Sequence, residues 1–198
     1  MQWTGGGRKL RKTRSFLAFL AVLAAAACAK PAPRTTIQQY MEGTINPAGD
    51  FLFHSVEDVS DAKGTRLKAP GTDAEWQAVR DQLKVLQGAP EVLTADGIRA
   101  APPGFKTENP GIESDPAWIQ QAIEAHRDSF KRHALRLRDA ADQAQRAVDL
   151  RDARALQRGL DGVDKACESC HLHFFYPADK RAWQAAKEDG MSDQPGVF

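Results

Sequence analysis

The sequence predicts an all-α protein, built as an antiparallel four-helix bundle. Three observations lead there. Apolar residues recur every three or four positions through four separate stretches, the period of a helix with one buried face. Helix-start signals stand ahead of two of them, "TDAE" from Thr72 and "SDP" from Ser114. No stretch alternates with period two for long enough to suggest a sheet.

The first helix is expected over about Thr35 to Val59, with Ile37, Met41, Ile45, Ala48 and Leu52 on one face. Pro47 falls inside that pattern and predicts a kink or a division there. "SDAKGTRLKAPG" reads as a loop. The second helix opens at Thr72, which has capping-box spacing to Glu75. Its stripe is Trp76, Val79, Leu83 and Leu86, weakening at Gly88 and Pro90 with room for a further turn through Leu93. Residues 95–115, with "APPG" and "NPG", form a long irregular connection of the kind that often covers a site.

The third helix starts at Ser114 or Asp115 as cap, with Pro116 in the first helical position. It carries Ile119, Ile123, His126, Phe130, His133, Leu137, Ala141, Ala144 and Val148 on one seam. "RDAR" is the turn, and the fourth helix repeats the rule with Leu156, Leu160, Val163, Cys167, Cys170 and Phe174. A short amphipathic piece, "ADKRAWQAAKED", follows Pro177.

The N-terminus has five basic residues and no acidic one before an apolar run from Phe16 to Ala27. At 12 residues that run is short for a membrane span and suits an export signal. "LAAAAC" resembles the lipobox of bacterial lipoproteins, with Ala25 where leucine is usual; the resemblance implies that Cys28 is acylated as the mature N-terminus. The expected organisation is a signal peptide over 1–27, a proline-stiffened tether over 28–34, the bundle over 35–176 and an extension over 177–198. Loss of residues 1–27 leaves 22 basic against 26 acidic residues, a net charge of about −4. That argues against a nucleic-acid partner, which would select a basic surface.

"CESCH", from Cys167 to His171, carries the chemistry. With Cys28 assigned to lipid, one close cysteine pair remains, too few for a disulfide framework. Zinc would need two more ligands, and His171 with His173 makes a cramped set. A thioredoxin-like dithiol would sit near a βαβ pattern, and none is present. Cysteines at i and i+3 share one side of a helix, where two thiols can bond the two vinyl groups of one haem. The adjoining histidine can then bind the iron. Cys-x-x-Cys-His is accordingly read as c-type haem attachment, with Cys167 and Cys170 as thioethers and His171 as proximal ligand.

"ACESCHLHFFYP" at the end of the last helix of a helical bundle resembles the cytochrome c′ family, the class II c-type cytochromes with their low-spin six-coordinate relatives. The resemblance covers roughly residues 35 to 176. Two departures are visible: no basic residue closely follows His171, and the 95–115 connection and C-terminal extension lengthen the chain. The resemblance implies a distal residue on the first helix, and Met41 stands in the corresponding region as the candidate distal iron ligand. A thioether ligand raises the reduction potential. His126 and His133 are the alternatives, while His54 and His173 carry little signal. Phe174 and Tyr176 are expected to wall the haem, with Phe175 between them.

The expected function is non-enzymatic: a monohaem cytochrome, held to a membrane by lipid in the periplasm and passing electrons between redox partner proteins. The outer membrane is the expected anchor site. The alternative is a five-coordinate binder of NO or CO. A peroxidase would need converging distal groups, and the adjacent His126 and Arg127 point about 100° apart on a helix. Homodimers are common in the family, so the resemblance also implies a candidate dimer.

Overall fold

The computed structural model describes residues 35–62, 64–110 and 112–176. The expected signal peptide, the expected lipidation at Cys28, the expected tether and the 177–198 extension lie outside the described residues. Among the described residues the chain forms five helices and one two-stranded hairpin, so the helical class is what the structure shows. No helix among them is long and apolar enough to cross a membrane.

Helix α1 has three consecutive segments: α-helical Ile37–Tyr40, π-helical Met41–Ile45 and α-helical Asn46–Ser55. It starts in a capping box at Thr36. The Thr36 hydroxyl accepts from Gln39 N–H at 3.2 Å, and the Gln39 side chain accepts from Thr36 N–H at 3.1 Å. The next two free N–H groups donate to the carbonyls of Arg99 and Ala100, both at 2.9 Å. The long 95–115 connection therefore closes the start of α1.

The π-turn explains how Pro47 is carried without ending the helix. Proline has no N–H to donate, and its ring crowds the carbonyl four residues back, here Gly43. The wider turn moves the ladder aside: Asn46 N–H bonds the Met41 carbonyl, five residues back, and Pro47 then lies in the first turn of the next α-segment. The helix ends at Ser55, short of the expected Val59, because Val56 is extended (φ −142°, ψ 120°) and leads into the hairpin.

The expected loop after α1 is instead a hairpin. Strand β1, Glu57–Asp61, pairs antiparallel with β2, Gly64–Lys68, in a register running from Glu57↔Lys68 to Asp61↔Gly64. The period-two apolar signal is missing because most of its side chains are exposed. Cross-strand polar pairs hold it: Lys68 to Glu57 at 2.8 Å, Arg66 to Asp61, and the Ser60 and Thr65 hydroxyls at 2.9 Å. Leu67 alone of β2 packs against the core.

Helix α2, Asp73–Leu93, begins with the predicted reciprocal cap between Thr72 and Glu75. Trp76, Val79, Leu83 and Leu86 are all buried, and the helix carries Pro90 through to Leu93. The single third helix of the sequence reading is two helices, α3, Pro116–Ala125, and α4, Arg127–Leu150. The break is His126 (φ −122°, ψ 39°). Arg127 beside it donates to the carbonyls of Thr94 and Ala95, at 3.1 and 3.2 Å, so the start of α4 is tied to the end of α2. A one-residue break leaves the apolar spacing intact on both sides, which is why the pattern does not reveal it.

Arg151, left-handed at φ 51°, closes α4, and Asp152 caps α5, Ala153–Phe174, by accepting from Ala155 N–H at 2.9 Å. Helix α4 packs along both α2 and α5, and α1 packs on α2. The closest approach is at Gly159 of α5, where an added Cβ would fall 2.8 Å from Ala144 Cα of α4. Arg154 at the start of α5 donates to Asp58 at 3.0 Å, fastening the hairpin to this pair.

Candidate functional site

A cavity of about 300 Å³ opens between α1 and the C-terminal half of α5, closed on its inner side by α4. Helix α1 contributes Met41 and Ile45 from the π-turn, then Asn46, Gly49, Asp50 and Phe53. Leu93 closes it from the end of α2. Helix α4 contributes Phe130, His133, Ala134 and Leu137. From α5 come Asp164, Ala166, Cys167, Glu168, Cys170 and His171. The structure therefore brings the whole Cys-x-x-Cys-His set and Met41 to one space, from different helices. The i, i+3 spacing of the cysteines and the adjoining histidine put all three on that face.

Both cysteines are free thiols, partly buried against the core. Burial, aided by the carboxylates of Asp164 and Glu168, pushes Cys167 up to about 11. Burial and the neighbouring Cys167 push Cys170 up to about 12. These are protonated, poorly nucleophilic thiols at neutral pH. A redox dithiol needs the opposite, a thiolate stabilised by its surroundings. Burial lowers His171, against a smaller opposing pull from Asp164, so its ring is neutral at pH 7 with a lone pair to offer. Phe175 and Tyr176 meet that ring edge to face, at 5.6 and 5.9 Å between centroids, and fix its attitude.

His133 is buried at 6% exposure and lines the cavity. Its Nδ1 and the Ser169 hydroxyl are hydrogen-bonded at 3.3 Å, and its ring packs edge-on against Phe174 at 5.8 Å. His126, placed on the seam by the sequence, is instead exposed at the helix break and does not line the cavity. Arg127 is engaged at the end of α2, so this pair does not converge on the cavity. His54 is exposed and bonds the Asp50 carbonyl at 2.7 Å, and His173 packs on His133 at 5.2 Å; neither is in the lining.

The two aromatic wall candidates sit behind the site rather than in it. Phe174 is fully buried, edge-on to Phe130 at 5.2 Å. Tyr176 stands against His171, and neither ring lines the cavity. The aromatic lining is Phe53 and Phe130. Phe130 was legible as part of the α4 stripe. Phe53 was not, because it is part-exposed and off the apolar face. Asp164 and Glu168 stand three residues before Cys167 and His171 respectively, a spacing that places each pair on neighbouring helix positions and was open to a sequence reading.

Among the described residues no group of three or more His, Cys, Asp or Glu side chains is placed to hold a metal ion. That bears on a bare-ion cage. A haem brings four nitrogens of its own and asks the protein only for axial donors. Paired thiols, one neutral imidazole, a thioether and apolar walls together fit such a group. No family model matches the chain, and no curated protein or solved structure does.

Proposed function

We propose that this chain is a monohaem c-type cytochrome that transfers electrons in the periplasm, with its four longer helices acting as a cytochrome c′-like bundle around the cofactor and Cys28 as its lipid anchor. The observation that carries the reading is that Cys167, Cys170 and His171 of α5 share one cavity with Met41 of α1. In this reading Cys167 and Cys170 would hold the haem through thioether bonds, and His171 and Met41 would donate to its iron. A haem bound there supplies a one-electron Fe(III)/Fe(II) couple.

The chain's own residues then have separable tasks. His171 offers a neutral imidazole because burial disfavours its charged form. Phe175 and Tyr176 hold that ring. Ile45 of α1 and Phe130 and Leu137 of α4 give the cavity apolar walls that would keep water from the cofactor. His133 packs on Ser169, His173 and Phe174, all on the helix that bears His171. His133 of α4 is held by those contacts, which favours Met41 of α1 as the second ligand.

The test is the visible spectrum of the purified holoprotein, ferric and ferrous, with and without CO. A low-spin ferrous form indifferent to CO is expected. A high-spin ferrous form that takes up CO would instead favour the gas-binding alternative, and a chain lacking covalent haem would remove both.

A further inference from the structure

The charged side chains around the cavity are all of one sign. Among the described lining residues they are Asp50 of α1 and Asp164 and Glu168 of α5, and no lysine or arginine joins them. The arginines close to this end of α5, Arg132 and Arg136, act on His173 instead, outside the lining.

We propose that Asp50 and Asp164 set the reduction potential of the site, their carboxylates favouring its oxidised state from two different walls. The inference rests on the haem reading above and concerns its regulation. Oxidation adds one positive charge inside the cleft, the electron leaving to an acceptor protein with no bond made or broken. Apolar walls screen that charge less than water does, so a nearby carboxylate stabilises the oxidised form more than the reduced one. Asp50 acts from α1, the wall that also carries Met41. A thioether ligand raises the potential, and the two aspartates counter it.

The experiment is a redox titration of the holoprotein beside Asp50→Asn, Asp164→Asn and the double variant. Asp139→Asn, an exposed position on α4 outside the lining, is the control for net charge. Both single variants are expected to raise the midpoint potential, with the double variant raising it further. The shifts should shrink between about 0.01 M and 0.1 M salt, as the screening length falls from about 30 Å to about 10 Å. Haem-loaded variants with unmoved potentials overturn the inference, as does a rise in Asp139→Asn equal to theirs. A wild-type chain without covalent haem is a separate result, and removes the cytochrome reading itself.

Discussion

Gly159 of α5 crosses Ala144 of α4 so closely that a Cβ on the glycine would lie 2.8 Å from the alanine Cα and 3.0 Å from its Cβ. The obstacle is backbone, which cannot rotate away. Gly159→Ala is therefore expected to destabilise the protein by about 1–3 kcal/mol through overpacking, although alanine is the better helix former. Gly162, one turn on, has nothing within 4 Å of its added Cβ. Gly162→Ala should stabilise by about 0.5–1 kcal/mol. Paired thermal melts check both, and equal effects at the two positions would refute the close crossing.

Met41→Leu keeps the volume of the π-turn residue and removes its sulfur. The holoprotein should lose its low-spin character, bind CO when reduced, and show a lower potential. An unchanged spectrum would remove Met41 from the coordination sphere. Far-ultraviolet dichroism should stay at the wild-type value.

The buried thiols make a pH prediction for the haem-free chain. Cys167 and Cys170 bind their protons more tightly folded, at about 11 and about 12, than the ordinary 9.0. Their contribution to stability is present in full below pH 9 and is lost as pH rises toward 11–12, because the unfolded thiols ionise first. Denaturant melts between pH 8 and 11 should show a steeper decline for the wild type than for the Cys167→Ala, Cys170→Ala double variant. Parallel declines would mean that the thiols are not buried.

Arg154 joins the hairpin to α5 through an exposed pair with Asp58. Such pairs contribute about 0–1 kcal/mol, so Arg154→Ala should lower stability by less than about 1 kcal/mol. Its larger effect should be local, with faster amide exchange over Gly64–Lys68 and an unaltered haem spectrum. Exchange unchanged in β2 would show that the clamp is not what holds the hairpin down.

The helices were legible where one face is buried and capped. Thr72, Glu75 and the stripe from Trp76 to Leu86 stand as expected, as do Asp115, Pro116 and the α4 stripe beyond Phe130. The hairpin was not, because residues exposed on both faces leave no period-two apolar trace and its pairing is polar. The break at His126 was hidden by apolar spacing that continues across it. Of the candidate site, Cys167, Cys170, His171 and Met41 meet in one cavity, since helix periodicity had set their faces. His126 does not, since its place depended on the helix running straight. The charges of Asp50 and Asp164 at the rim depend on how α1 and α5 face each other across a gap, which periodicity within one helix does not encode.

A helix is a screw, and the π-turn is a change of thread. Each α-helical residue advances the screw by 100°. The widened turn from Met41 to Ile45 slips the upstream part of α1 in phase against the downstream part, and both ends still bury their apolar residues, Ile37 before it and Ala48 and Leu52 after it. The length of this segment is therefore a coordinate of the site. Wound as regular α-helix at its present length, the segment would instead turn Met41 by roughly a quarter of a revolution relative to Phe53 and Asp50. Local irregularity here keeps two halves of a single helix aimed at the same space.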